Sequence, residues 1–534
     1  MIFVVLAVAT LFAAWSAPGW PANHEDNSFA VRTLIYARHF SWLDFIPVWS
    51  SADSSGFGSP MPLMYHKLFY VLAGALALAT GSVKSANVIA VGLLLVAGAS
   101  GIYLTVRTLG GSRLAATVAG CSLITANYTV TNWLVRGAMA EFCGAMMIPW
   151  VLLFFVRTIQ SGRLAIGLGV SFGLLWLSHS VLAYYTGLIL GSTYLLLLLM
   201  RLAPVSAIDP RTAWPSGVWF AVLVGPYLVL MAIVGREYDF SRILTPPFRP
   251  IYQFKPPSAY LWDRQWRFGG TASGLTVQLD HAVLLLMAIG LGALAIRKPS
   301  DDTGTRWRAV QPALPFLVIL ALGSFLQLPV AAPFYEWVPG AQFIQFPWRV
   351  LAIMTPALIV AAVYLADRAL PPDGRHFILG GAMIWMVVSC GSFAPLRDPR
   401  IRLDPPLTHL TFSGFREYEP RQAAPLAEIQ TKLSARWKEA GCSYETANPD
   451  NDEVSTARFH TLCGQSAVLP LPLYASAAHV VMTSNQPRGE PCMLLPDFPG
   501  VCGAVIPAAE DTVAVKLPNV ASVVGSVWRR YGRR

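Results

Sequence analysis

The sequence PGWPANHEDNSFAVRTLIYARHF, residues 18–40, follows directly on an apolar run at residues 2–17. It continues as DFIPVWSSADSSGFGSPMPLMYHKLFYVLAGALALAT, residues 44–80. Glu25 and Asp26 stand side by side just past an N-cap candidate, Asn23, and ahead of Arg32 and Tyr36. A turn rich in Gly and Pro (Gly56, Gly58, Pro60, Pro62) leads into an aromatic, partly apolar helix at 61–80. Acids flanked by hydrophobic spans mark a functional candidate, because charge beside a membrane is costly to keep.

The whole chain supports a membrane setting. It has 534 residues, 54% hydrophobic and 13% charged, against about 25% charged in soluble domains. Apolar runs lie near 2–17, 86–106, 114–131, 142–156, 164–178, 180–200, 216–235, 280–296, 311–328, 348–366 and 377–394. They predict an all-α polytopic domain of about 11 transmembrane helices with juxtamembrane helices beside them. The net charge of +10 is no nucleic-acid signal, because the Lys and Arg residues fall between the spans, where they set orientation. The first run has no Lys or Arg before it, so it reads as an uncleaved anchor, with a signal peptide ending at AAWSA as the alternative.

Residues 61–80 are long enough to span, but His66 and Lys67 sit near their start. Placing them as an interfacial or re-entrant helix puts Arg107/Arg113, Arg157/Arg163, Arg201/Arg211, Arg297/Lys298/Arg306/Arg308 and Arg368/Arg375 on one side. That is the positive-inside pattern. The basic loop 236–279 then falls outside, where long loops follow the rule poorly. The N-terminus lies inside and the C-terminus outside.

Residues 397–534 carry no further convincing span and read as a small extracytoplasmic β-rich domain. AVLPLPLY (467–474), HVVMTS (479–484) and TVAVKLP (512–518) are strand-like runs between Pro and Gly. Four of the seven cysteines, Cys442, Cys463, Cys492 and Cys502, lie there. They suggest an oxidising compartment and two disulfides whose pairing is open. Cys121, Cys143 and Cys390 fall in apolar runs as packing residues. The domains expected are thus 1–396, with outer loops 18–80 and 236–279, and 397–534.

In this topology the unusual polar residues gather at the outer side: Glu25, Asp26, Arg32 and Asp53 from the first loop, Arg136 and Glu141 from NWLVRGAMAEF (132–142), His179 from LSHSVLAYY (177–185), and Gln345 and Arg349 from AQFIQFPWRV (341–350). Each has a plainer reading. Arg349 beside Pro347 and Trp348 suits a helix-end anchor. Glu141, Glu25 and Asp26 suit helix N-termini, His179 a satisfied corner, and Asp53 a turn. Their convergence favours a site. No tight metal-ligand spacing appears, and a divalent ion would need His24, Glu25, Asp26 and His179 to meet in space.

The pieces HEDNSFAVR (24–32), PVWSSADSSGFGSPMPLMYHKLFY (47–70), RGAMAEFCGAMMIPW (136–150), QFIQFPWRVL (342–351) and REYEP (416–420) come in an order that resembles the GT-C superfamily of polytopic glycosyltransferases. More narrowly, it resembles the bacterial membrane proteins labelled 6-pyruvoyl-tetrahydropterin synthase-related. No pterin-type metal site is visible. The resemblance implies a catalytic carboxylate in the first outer loop, Asp26 with Glu25 as the substitute. It also implies a polyprenyl-phosphate-linked sugar donor used at the extracytoplasmic face of a bacterial inner membrane, with 61–80 as a juxtamembrane helix. Arginine suits the departing phosphate through its fixed fork of donors. Arg136, Arg349 or an arginine of 236–279 fits that role, with Arg32, Glu141, His179 and Gln345 as further donor- or substrate-binding candidates. The acceptor would be a cell-envelope glycan, lipid or protein. A transporter or flippase of a lipid-linked or anionic substrate is the alternative, and a structural envelope protein whose β-domain binds a partner is a third.

Overall fold

The computed structural model describes residues 1–16, 19–21, 23–25, 27–51, 53–201, 205–246, 248–261, 277–296, 310–391, 400–401, 420–446, 456–476, 478–483 and 486–524. They form two compact units, and in the first β1 (Trp20–Pro21) pairs antiparallel with β2 (Arg400–Ile401). The first takes residues 1–29, 84–225 and 246–403, and the second takes 30–83, 226–245 and 404–534.

The protein is a multi-pass membrane protein with a C-terminal β-sheet region. Among the described residues five helices are long and apolar enough to cross a membrane: Val83–Thr108, Met139–Ser161, Ser180–Met200, Pro210–Glu237 and Pro347–Ala369. A sixth is reached if Gln311–Leu326 and Pro329–Trp337, bent by 86° at their junction, count as one broken span. The eleven crossings expected from apolar runs are therefore not all matched by full-length helices. Ile2–Trp15, Arg113–Thr125, Ile166–Ser178 and His281–Ile296 are helical but hold only 13–16 residues, whereas a straight crossing needs about 20. An apolar window shows that a segment shuns water; it does not show where the helix stops.

The helix Pro347–Ala369 is the hub of the first unit. Its whole apolar window is buried, which is what a helix without a polar stripe requires. His281–Ile296 and Leu314–Leu326 pack along it. Gly290 lies against the Leu365–Ala366 backbone, where a Cβ would collide, the close approach that small residues allow between membrane helices. Near the helix end, the buried Asp367 carboxylate accepts from the Ser112 N–H (2.8 Å) and Oγ (2.6 Å). Ser112 in turn caps Arg113–Thr125, accepting from the Ala115 N–H.

The second unit holds two antiparallel sheets. One runs in the order β3 (Cys442–Thr446), β4 (Thr456–Cys463), β10 (Ala509–Lys516), β6 (Val480–Thr483), β7 (Gln486–Pro491). The other runs β5 (Ala467–Tyr474), β9 (Val501–Ile506), β8 (Met493–Leu494). The three strand-like runs of the sequence become β5, β6 and β10. Pro470 and Pro472 fall on β5, an edge strand, where a missing N–H breaks no ladder. Disulfides join Cys442 to Cys463 and Cys492 to Cys502. Trp49 and Phe57 of the first loop are buried in the same core as Leu471, Tyr474 and Val513, and Phe57 accepts a backbone bond from Tyr474 (2.9 Å). Residues 61–80 are a short helix, Met61–Met64, and a 13-residue helix, Leu68–Thr80.

Candidate active site

The polar residues of the first unit are assembled around one carboxylate. Glu141 stands in the first turn of Met139–Ser161 and is 2% exposed. Its Oε1 accepts from Arg136 Nη1 (2.7 Å) and Tyr128 Oη (2.6 Å). Its Oε2 accepts from Arg136 Nη2 (3.0 Å) and Arg349 Nε (3.0 Å). Arg136 thus grips the carboxylate with two parallel bonds, the strongest geometry open to a guanidinium.

Local backbone sets this up on both sides. Arg136 ends a π-helical turn, Thr131–Val135, and its N–H donates to the Thr131 carbonyl; such turns recur at functional sites. The Met139 N–H then bonds the Gly137 carbonyl (2.8 Å) across Ala138 at φ −78°, ψ 65°, an inverse γ-turn. This tight reversal returns the chain to Glu141 within five residues of Arg136. On the other side Gln345 has φ 62°, ψ −48°, and the Phe346 N–H bonds the Ile344 carbonyl (2.6 Å). That is the strained, rare form of γ-turn. Both products of the turn serve Arg349: its Nη1 donates to the Ile344 carbonyl (2.8 Å) and to Gln345 Oε1 (3.1 Å). Among the described residues Arg349 donates through Nε and Nη1.

His179 joins Ile166–Ser178 to Ser180–Met200 in extended conformation. Its Nδ1 accepts from the Leu182 N–H (3.1 Å), which leaves the proton on Nε2, 4.0 Å from Glu141 Oε2. Two aromatic rings cover the guanidiniums. Arg136 lies 4.6 Å over Trp348 and Arg349 lies 4.9 Å over Phe346, and the two rings stack. Cations over aromatic faces gain further attraction.

The first loop reaches this turn through its backbone. The N–H groups of His24 and Glu25 donate to the carbonyls of Val135 and Arg136, both at 3.1 Å. Gly137, at φ 67°, lets Asn23 pass where a Cβ would strike its amide. Asn23 does not cap the following helix. Its Oδ1 accepts from the Glu25 N–H (2.9 Å) in a turn, and the helix starts at Ser28. The Glu25 carboxylate accepts from Ser28 Oγ (3.0 Å).

Of the residues picked out from sequence, Arg136, Glu141, His179, Gln345 and Arg349 come together, with the Glu25 backbone bonded to the same turn. Asp26 lies outside the described residues, as do Arg264 and Arg267 of the basic loop. Arg32 belongs to the second unit, where it donates to Tyr70 Oη (3.3 Å) and lies 4.2 Å over Tyr65. Asp53 is also there, buried in a turn whose Gly56 and Gly58 N–H groups bond its carbonyl. Burial raises its carboxyl above the usual range, against the bond from Ser59 and the charge of Arg32. Asn132, whose Oδ1 accepts from Arg136 Nη1, Tyr128 and Trp348 are not marked by the sequence. Nothing local marks Tyr128 or Asn132; the pairing of Trp348 with Arg349 was read only as an anchor. Among the described residues no three His, Cys, Asp or Glu side chains gather as a metal site.

No protein-family model and no curated protein matches the chain. Among solved structures it is similar to arabinofuranosyltransferase AftD from Mycobacteria, with a TM-score of 0.48 and 16% identity over 97% of this chain and 40% of that one. It is also similar to the Archaeoglobus fulgidus oligosaccharyltransferase in its apo form, with a TM-score of 0.42 and 12% identity over 75% of this chain and 56% of that one. The chain therefore spans about two fifths of the mycobacterial structure. At these identities and scores, the chemistry of this chain has to be argued from its own residues.

Proposed function

We propose that the chain is an inverting GT-C-type glycosyltransferase that moves a sugar from a polyprenyl-phosphate donor to a cell-envelope acceptor. One observation carries the reading: a buried trio holds two guanidiniums, Arg136 and Arg349, against one carboxylate, Glu141. Buried charge without compensation is expensive; among the described residues Arg136 and Arg349 share the Glu141 carboxylate, with the Glu25 charge also acting on Arg136, and the guanidiniums are the groups that would receive an anionic ligand such as a phosphodiester.

In the reaction the bond from the anomeric carbon to the phosphate oxygen breaks, and its electron pair leaves with the lipid phosphate. The acceptor oxygen attacks the opposite face, which inverts the centre, and its proton passes to a carboxylate. Glu141 is a poor base, since four hydrogen bonds occupy its oxygens. The first loop supplies the alternatives: Glu25, whose N–H is bonded to the Arg136 carbonyl, or its sequence neighbour Asp26. General-base help of this kind contributes roughly 10²–10⁴-fold. We place the site on the extracytoplasmic side of a bacterial inner membrane; the two disulfides support an oxidising compartment for the second unit. The same proposal assigns the transfer to a transmembrane domain, 1–396, and gives 397–534 to an extracytoplasmic domain.

The test is mass profiling of lipids and envelope glycans from cells with and without the protein, complemented with wild type, Arg349→Lys or a Glu25→Gln/Asp26→Asn double variant. A sugar increment that disappears without the protein, and returns with wild type alone, is expected. An unchanged profile overturns the enzyme. Labelled lipid moved across vesicles without any new glycoside would establish the flippase instead.

A further inference from the structure

The helix Ser28–Ser41 ends in an unusual way. The Leu43 N–H bonds the Phe40 carbonyl (3.0 Å) and the Asp44 N–H bonds the His39 carbonyl (2.9 Å). This is the paired pattern of a Schellman cap, whose left-handed residue is most often glycine. Here that residue is Leu43, at φ 59°. A glycine would adopt the turn without strain, so a leucine held there points to a use for its side chain. The turn is fixed from beneath by a 2.9 Å contact between His39 Nδ1 and Asp44 Oδ2, and Phe45 rests against Phe40. What it presents is apolar: Trp42, Leu43 and Phe45 are 55%, 75% and 64% exposed.

What covers this turn follows from its neighbours in the second unit. Val31 and Ile35 of the same helix share a core with Leu230 and Val234, which lie on the membrane-crossing helix Pro210–Glu237. Leu43 is eight residues beyond Ile35, about 12 Å along a helix. The apolar helix Leu68–Thr80 crosses the same helix, with Gly74 against Tyr36 and Ala37, and it keeps Leu78 exposed. The rigid, solvent-facing apolar turn therefore stands a short way from the end of a span. Trp is the residue most at home at the membrane–water boundary, and Arg38 beside it suits lipid phosphate.

We propose that residues 42–45 are a membrane wedge: Trp42, Leu43 and Phe45 insert into the lipid headgroup and upper acyl region and fix the first-loop helix against the bilayer. The proposal does not depend on the glycosyltransferase reading.

The test uses the full chain in lipid nanodiscs, with Leu43→Cys or Trp42→Cys carrying an NBD label and Lys432→Cys, on the exposed face of Leu426–Glu439, as the aqueous control. Protein without an added cysteine is labelled in parallel to subtract background. Label at 43 and 42 should lose most of its emission to doxyl-lipid and little to iodide, with the reverse at 432. Iodide quenching at 43 and 42 equal to that at 432, with no effect of doxyl-lipid, overturns the wedge. Emission that depends on protein dilution rather than on lipid quencher would assign the face to a second copy of the chain, and also overturns it.

Discussion

Glu141 of the first unit and His479 of the second are buried in opposite ways. In the first, the Glu141 oxygens accept four hydrogen bonds from Arg136, Arg349 and Tyr128. In the second, His479 is 1% exposed and lies 4.8 Å from the Trp49 ring, with Nε2 bonded to nothing among the described residues. Burial there pushes the imidazole down to about 3, so it stays neutral. Around Glu141 two guanidiniums share one carboxylate among the described residues, the arrangement proposed above to receive an anion. A buried neutral imidazole among aromatics is core. The contrast separates the chemistry of this protein from its scaffold, and it can be broken experimentally.

The largest effect belongs to Glu141→Gln. It leaves two buried guanidiniums facing each other without their counter-ion, and breaking a buried pair in this way costs about 3–5 kcal/mol. A marked fall in melting temperature in detergent is expected, together with loss of any sugar transfer. Near-normal stability would mean that the trio is not held as a unit. Removing the Cys442–Cys463 bond by a double serine substitution acts on the second unit alone. It should cost about 3 kcal/mol for a loop of this length, read as earlier proteolytic cleavage within residues 420–524. Equal protection of both forms would show that the sheet core suffices without the staple.

The charge contrast also has a pH signature. Above about 6.5, the ordinary histidine value, His479 is neutral in both folded and unfolded chains and contributes no pH dependence. As pH falls below that value the unfolded chain takes up a proton that the folded core refuses. Stability is lost progressively from pH 6.5 toward about 3, about 2 kcal/mol by pH 5 at 1.36 kcal/mol per unit. His479→Phe should flatten this slope in a series of thermal melts. A slope that survives the substitution assigns it to other groups.

Much of this architecture is legible in the chain, and what is not has a physical cause. The apolar runs identify the membrane helices, and the corner at His179 between 164–178 and 180–200 is legible too, but other helix ends depend on caps and packing, as where Ser112 meets Asp367. The strand runs and the cysteine-rich segment reveal the β region, since alternation and Pro punctuation are local. The pairing of the cysteines depends on sheet register. The second unit draws on three segments far apart in sequence, so Trp49 reads as a loop aromatic although it is a core residue. At the candidate site the charged members stand out, because charge in an apolar chain is rare. Tyr128 gives no such signal, being one of 18 tyrosines. Its phenol is worth about 2 kcal/mol as a bond to a charged group, so Tyr128→Phe should destabilise visibly while leaving the packing intact.

The smallest effect tests whether backbone strain belongs to the site. Gln345→Ala and Gln345→Gly both remove the amide that accepts from Arg349, so the lost side-chain bond cancels between them. They differ in the backbone. At an ordinary helical position glycine would be the less stable by about 0.5–1 kcal/mol. At φ 62°, ψ −48° the order should reverse, because only glycine occupies that turn without strain, and the glycine variant should melt higher by a margin of about 1 kcal/mol. The gain should not carry over to function. A glycine there frees the Ile344 carbonyl to wander from Arg349 Nη1, so the glycine variant should transfer sugar no faster than the alanine one. If glycine is the less stable of the two, the turn is unstrained and Gln345 is only a hydrogen-bond partner.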